Sequence, residues 1–224
     1  MQIPENIDYI LKRIEEREDR WKSLYMATWG FSLKFLKPNY EGTLNWNKPM
    51  PRSLPASIKG HHISTPKQLC EMLASGLMDR ELTVSHLEIM FSLTEALVKD
   101  LHELLYSGKS INSDSRNELI AFLEGKKKYN KVTIPLLLAG EENEFILAKE
   151  TRNCFTHRGG RIDDRWLNAC KESRGSSYIS KLGSEIGDEL TKNHDELFRE
   201  VEKWHKIFVN IARRTRKLLL SIQN

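Results

Sequence analysis

The chain has 224 residues, of which 39% are hydrophobic and 29% are charged, and its formal net charge is +4 at pH 7. This length and balance exclude global disorder and suit one compact domain, or one domain with a modest extension. No apolar run approaches the roughly 20 residues of a membrane span, and the first residues lack the apolar stretch of a signal peptide, so we expect a cytoplasmic protein without a membrane segment.

The first part of the chain divides into a helical segment and a proline-rich loop. Apolar residues recur near 3.6-residue spacing from Asn6 to Leu36, which predicts an amphipathic helix. Five of the seven prolines fall at positions 38 to 66, and such a stretch cannot form a long helix. We therefore divide the chain into an N-terminal helical segment, 1–36, a Pro-rich loop, 37–66, and a helical domain, 67–224.

The remaining sequence predicts helices separated by short loops. The strongest pattern is an apolar stripe from Val84 to Leu105, with Thr83 as the predicted N-cap. Two histidines of this helix, His86 and His102, fall on its polar side and are expected to be solvated. The absence of any internal repeat or βαβ alternation predicts the all-α class. The other predicted elements are helices near 65–78, 114–124, 141–158 and 163–171, a small hairpin within 174–190, and a long helix from about 193 to 221.

Adjacent histidines and three cysteines are the candidate metal ligands. His61 and His62 lie in the Pro-rich loop, but no acid or cysteine stands at ligand spacing, which favours a solvated loop over a metal pair. Cys70, Cys154 and Cys170 are odd in number and widely spaced, so they indicate neither a disulfide framework nor a zinc site. We expect reduced thiols that pack as small hydrophobic groups, and neither a metal ion nor a cofactor.

A specific chemical pattern is found in ETRNCFTHRGG, residues 150–160. An arginine followed five residues later by a histidine is weak evidence, because the 15 Arg and 7 His residues give about 0.5 such pairs by chance. An asparagine directly after the arginine and a glycine within three residues of the histidine lower the expectation to about 0.005. Only Arg152, Asn153 and His157 satisfy this stricter pattern.

The segment RNCFTH, followed by RGGRIDDRWL, closely resembles the active-site signature of the HEPN superfamily of nucleotide-binding helical domains. That signature is R-N-x-x-x-H before a glycine turn and a short helix, and the resemblance extends more weakly over about 82–220. It implies a HEPN-like helical bundle. For active members it implies a metal-independent endoribonuclease, often a toxin or an antiphage-defence effector, whose active site forms across a homodimer. Arg152, Asn153 and His157 would take the catalytic positions.

The residue types of the motif suit RNA cleavage without a metal ion. Neutral histidine can act as a base, protonated histidine as an acid, and arginine as a forked phosphate ligand. Asn153 and His157 are four residues apart, so the asparagine could orient the imidazole, whereas Arg152 and His157 lie about 140° apart around a helix. This geometry favours a site shared between two copies. Arg158 and Arg161 are predicted to attract RNA phosphates.

Several alternatives remain open at the level of sequence. The motif also suits a surface helix end with capping charges, and the same helix could serve a non-catalytic module that binds RNA or a protein. Glu88 or Glu95 could pair with Arg152, although an exposed face explains both acids equally well. Thr156 departs from the aliphatic residue that often precedes the histidine in the family. The family resemblance further implies control by an antitoxin or by a sensor protein.

Overall fold

A computed structural model describes residues 3–36, 57–58, 61–62, 77–106, 111, 116–125, 137–182, 185–190 and 194–222. These residues form seven helices and one hairpin of two-residue strands, which confirms the predicted all-α class. None of the described helices is long and apolar enough to cross a lipid bilayer. The elements are α1 (Glu5–Leu36), β1 (Ser57–Ile58), β2 (His61–His62), α2 (Leu77–Leu105), α3 (Arg116–Leu123), α4 (Glu142–His157), α5 (Asp164–Arg174), α6 (Ser176–Leu182) and α7 (His194–Ile222).

The chain forms two compact units. The first contains Met1–Glu18 and Val84–Asn224, and the second contains Asp19–Thr83. In the second unit, β1 and β2 pair in antiparallel register, with Ser57 opposite His62. Most of the predicted Pro-rich loop, 37–66, and most of the short helix predicted near 65–78 lie outside the described residues. The side chains of the two histidines considered as a metal pair also lie outside them.

The core of the first unit forms where α2, α4 and α7 meet. Each helix contributes one fully buried phenylalanine, namely Phe91, Phe145 and Phe208. The three ring centroids lie 5.0 to 5.7 Å apart, within the range of favourable aromatic packing. The beginning of α1 adds Ile7, Leu11 and Ile14, which recur at helical spacing and are also buried. This packing fixes α4, the helix that carries the sequence motif, against α2.

Two local predictions are wrong. Thr83 does not cap a helix, because α2 begins at Leu77 and runs through it; the segment LMDREL contains neither proline nor glycine and so does not interrupt the helix. The hairpin predicted within 174–190 is also absent from the described residues. There Gly175 ends α5 with φ +81°, and the chain resumes a helix as α6. An isolated antiparallel bridge pairs Arg161 with Glu189 instead.

An arginine at the end of α5 joins three helices. The Arg174 guanidinium donates to Glu144 Oε2 of α4 at 2.6 Å and to Glu200 Oε1 of α7 at 3.0 Å. Trp204 Nε1 donates to the same Glu144 oxygen at 3.1 Å. Burial alone would raise the pKa of Glu144, but the hydrogen bonds from Arg174 and Ser173 outweigh it and hold that pKa below its usual value. Arg174 therefore joins α5 to α4 and α7.

The prediction that His86 and His102 are solvated is wrong, because both side chains are buried. His86 Nε2 lies 3.2 Å from Nδ1 of His205 on α7, and His205 Nε2 lies 3.6 Å from Glu18 Oε2 on α1. His102 stacks on Tyr106 with ring centroids 4.7 Å apart. At these two positions α2 faces other helices rather than water, which an isolated helical pattern cannot show. His205 is buried as well.

The buried His86 predicts a loss of stability in mild acid. Burial first, and then the charges of His205 and Arg17, lower the pKa of His86 from 6.5 to about 3. Between these pH values the unfolded chain binds a proton that the folded chain does not, so the free energy of unfolding falls as the pH falls. We expect a loss of about 2 kcal/mol between pH 6.5 and pH 5.

Urea unfolding across this pH range measures the effect. The variant His86→Gln is expected to show a shallower pH dependence, because glutamine does not titrate. The Glu18 carboxylate lies on the other side of His205, at 3.6 Å from its Nε2. If the free energy of unfolding of His86→Gln changes with pH as steeply as that of the wild type, other groups cause the pH dependence.

A candidate active site at the end of helix α4

The motif helix ends directly after His157, as the two glycines predict. The backbone N–H groups of Arg158 and Gly160 both donate to the carbonyl of Cys154, at 3.1 and 2.8 Å. Gly159 and Gly160 adopt φ values of +59° and +83°, a left-handed conformation that favours glycine. His157 is consequently the last residue of the helix, and its side chain is exposed.

Arg152 is anchored to α2. Its Nη2 donates to Glu95 Oε1 at 2.9 Å, in a contact where both side chains are about 15% exposed. The guanidinium carbon also lies 5.2 Å from the centroid of the Phe91 ring, within the range of a cation–π contact. Of the two acids considered for Arg152, Glu95 is thus the partner. The guanidinium is therefore held by Glu95 and by the Phe91 ring.

The other acid, Glu88, contacts Thr156. Thr156 Oγ1 lies 3.0 Å from Glu88 Oε1 and 3.0 Å from the carbonyl oxygen of Arg152, so its hydroxyl can donate to either acceptor. Glu88 lies two helical turns before Glu95 on α2. The threonine therefore forms a second polar contact between α4 and α2, next to the contact of Arg152.

Asn153 and His157 behave differently from Arg152. The Asn153 side chain is half-buried and the His157 side chain is exposed. No hydrogen bond joins them, although both belong to the described part of the chain, so the asparagine does not orient the imidazole within one copy. Within one copy, Arg152 is bound to Glu95 while His157 lies free at the helix end. The three motif residues are neighbours in sequence, but the structure does not join them in one hydrogen-bonded cluster.

The two arginines predicted to bind RNA have different surroundings. Arg158 Nη1 lies 3.0 Å from Asp163 Oδ1 and 3.8 Å from Glu150 Oε2, so its charge is already balanced. Arg161 is exposed, and its Nη1 donates to the carbonyl oxygen of Gly187 at 2.9 Å. The remaining N–H groups of Arg161 can reach a ligand in solvent. Of the two arginines, Arg161 therefore has the guanidinium that is more open to solvent.

The thiol of the motif is inert. Cys154 is fully buried, and burial raises its pKa to about 11, although the Arg158 guanidinium at 3.6 Å opposes the shift. Cys170 is also buried and reduced. The positions of Cys154 and Cys170 agree with the packing role expected for them, while Cys70 lies outside the described residues. The described ranges contain no group of three or more His, Cys, Asp or Glu side chains placed to hold a metal ion.

A buried lysine beside the motif was missed at the sequence level. The Lys149 side chain is 4% exposed, and its Nζ lies 3.6 Å from the same Glu95 oxygen that accepts from Arg152. Lysine is rarely buried, and its position three residues before Arg152 is the only sequence signal that would have placed it on the same side of α4. Glu95 therefore faces two cations from one helix.

The segment 185–190 is bound to the turn that follows the motif. Gly187 N donates to the Ile162 carbonyl, Ile162 N donates to the Asp188 carbonyl, and Leu190 N donates to the Gly160 carbonyl, each at 2.9 Å. Asp163 then caps α5 by accepting from Trp166 N at 3.0 Å. Sequence reasoning predicted the short helix after the turn but not this backbone pairing. The backbone pairing with residues 185–190 and the Asp163 cap of α5 thus both fix the turn after His157.

Asp163 predicts a separable effect on stability, because it both caps α5 and pairs with Arg158. Asp163→Ala removes both interactions, and we expect it to lower the free energy of unfolding by about 2 kcal/mol. Asp163→Asn keeps a good cap and removes only the ion pair, so it is expected to cost less than half as much. Urea unfolding of the two variants checks this, and equal losses would show that the cap contributes nothing.

Comparison with known proteins gives no match. No protein-family model fits the chain, and neither a curated protein nor a solved structure is detectably similar to it.

Proposed function

We propose that the protein is a HEPN-type endoribonuclease, whose paired copies cleave RNA at a site built from Arg152, Asn153 and His157. The observation that carries the proposal is the arrangement of α4. An arginine is anchored to the neighbouring helix by Glu95, and an exposed histidine lies at a glycine-terminated helix end five residues later. The strict sequence pattern supports the same assignment. The reaction requires a phosphate ligand and a proton carrier, and these residues supply both.

The proposed reaction is a transesterification. One imidazole removes the proton of a ribose 2′-hydroxyl, and the 2′-oxygen attacks the adjacent phosphorus. Arg152 neutralises charge on the phosphorane, while Asn153 offers an amide donor to a phosphate oxygen or to an imidazole of the partner copy. A protonated imidazole then gives its proton to the leaving 5′-oxygen. The products are a 2′,3′-cyclic phosphate and a 5′-hydroxyl end.

The proposed reaction requires a second copy of the chain. The reaction needs one base and one acid at the same phosphate, and each motif contributes one histidine. A two-fold axis beside the ends of two α4 helices would bring two imidazoles and two guanidinium groups to one RNA phosphate. We therefore propose a homodimer as the active form. Arg161, on the adjoining turn, would contact a neighbouring phosphate, with a smaller contribution from the ion-paired Arg158.

The biological setting is proposed from the same family resemblance. A nuclease of this type acts as a toxin or as an antiphage-defence effector in the cytoplasm. Unrestricted RNA cleavage harms the cell, so we propose an antitoxin or an activating sensor protein as a partner.

The test is cleavage of a short labelled single-stranded RNA by the purified protein in the presence of EDTA. We expect cleavage to continue, and mass spectrometry to find a 2′,3′-cyclic phosphate on the upstream product. Sedimentation of the same sample establishes whether it is dimeric. Products that end in a 3′-hydroxyl would contradict the mechanism. RNA binding by a folded dimer without cleavage would favour the alternative function, a non-catalytic module that binds RNA or a protein.

A further inference from the structure

The strongest unexplained feature near the site is the buried charge of Lys149. Burial lowers the pKa of its ammonium group, and the charge of Glu95 opposes this shift only in part. Within the described residues, Lys149 Nζ has no hydrogen-bond partner, because Glu95 Oε1 lies 3.6 Å away, beyond hydrogen-bond distance. An apolar side chain of similar length would avoid this cost. A structural role as the partner of Glu95 is already filled by Arg152 at 2.9 Å.

The shared carboxylate creates a difficulty for the proposed reaction. Arg152 must offer N–H groups to an RNA phosphate, and its Nη2 is bound to Glu95. If the guanidinium turned toward the phosphate and Lys149 were absent, Glu95 would be left as a largely buried carboxylate without either of its two cations. Such a charge is unfavourable in itself, and it also repels the phosphate. A second cation close to Glu95 removes both penalties.

We propose that Lys149 is a positioning residue that neutralises Glu95 when Arg152 turns from Glu95 to the substrate phosphate. The inference rests on the proposed function and adds a step to it. A displacement of less than 1 Å would bring Lys149 Nζ within hydrogen-bond distance of Glu95 Oε1. Glu95 then exchanges one cation for another, and no covalent bond or proton transfer is involved. Lys149 itself stays buried and does not contact the RNA.

The exchange predicts a coupling between Lys149 and Glu95 in the rate of RNA cleavage. Lys149→Met keeps a long unbranched side chain and removes its charge, so we expect kcat to fall about tenfold with a smaller change in KM. Lys149→Arg keeps the charge and is expected to recover most of the rate. In a Glu95→Gln background the carboxylate is gone, and Lys149→Met is expected to change kcat less than twofold. Lys206→Met, an exposed lysine of α7, controls for the loss of one positive charge.

The experiment measures kcat and KM for these variants on one RNA, together with their melting temperatures. A tenfold loss in Lys149→Met that disappears in the Glu95→Gln background supports the exchange. An equal loss in both backgrounds overturns it, as does an unchanged kcat in Lys149→Met. If the wild-type protein does not cleave RNA, the proposed function and this inference fail together. An active wild type with no coupling overturns the inference alone.

Discussion

Replacing His157 by alanine is expected to lower the rate of RNA cleavage about a thousandfold and to leave the melting temperature unchanged. The rate falls because each copy loses its proton carrier, and general acid–base groups contribute about 10²- to 10⁴-fold each. Stability is unaffected because the side chain is exposed, with no hydrogen bond to another described residue. The measurement is single-turnover cleavage of a labelled RNA, with thermal unfolding of the same preparations.

Two further variants make this result specific. His157→Gln keeps a hydrogen-bonding side chain but cannot carry a proton at neutral pH, so we expect it to be as inactive as the alanine variant. Lys206→Ala alters an exposed residue of α7 and is expected to retain the wild-type rate. A His157→Gln protein with more than a tenth of the wild-type rate would argue against acid–base catalysis by this residue.

We expect replacement of Arg174 to destabilise the fold more than any other substitution considered. Arg174→Met leaves Glu144 and Glu200 facing one another without the cation that joins them, and Glu200 is only 10% exposed. Removing one partner from a buried ion pair usually costs about 3–5 kcal/mol, and we expect a loss near 3 kcal/mol because Glu144 is partly solvated. Urea unfolding at pH 7 measures it.

The same variant is expected to respond to pH in a defined direction. The hydrogen bonds of Arg174 hold the pKa of Glu144 below its usual value, so their loss raises that pKa. Protonation of the carboxylate then relieves the repulsion, and the difference in free energy of unfolding from the wild type should shrink as the pH is lowered. Adding Glu144→Gln to Arg174→Met should recover part of the loss at pH 7. A loss below 0.5 kcal/mol in the single variant would show that water already solvates both carboxylates.

The fold class and the end of the motif helix could be predicted from sequence because local signals determine them. Apolar spacing indicates helices, and two glycines after His157 end α4 where the pattern places the end. The prediction for Thr83 failed because a good N-cap residue is equally compatible with a helix interior when no breaker precedes it. The prediction of a hairpin within 174–190 was wrong because a single glycine can separate two helices as well as mark a turn.

Tertiary contacts account for what the sequence pattern could not show around the site. The pairing of Arg152 with Glu95 spans 57 residues, and sequence alone left two acids as equal candidates. His86 looked solvated because one helix pattern gives no information on the second helix that covers it. Lys149 was overlooked because the composition of a helix face predicts exposure for lysine, whereas packing between α4 and α2 buries this one.

The proposed function requires His157 to act in RNA cleavage through the ribose 2′-hydroxyl. The test uses two RNAs of the same sequence, one of them carrying a single 2′-deoxy substitution at the cut nucleotide. Each RNA is incubated in EDTA with the wild type and with His157→Ala. We predict that only the wild type cleaves, that EDTA does not slow it, and that the 2′-deoxy substitution abolishes cleavage at that position. Cleavage that survives His157→Ala, or that proceeds at the 2′-deoxy nucleotide, would contradict the assignment.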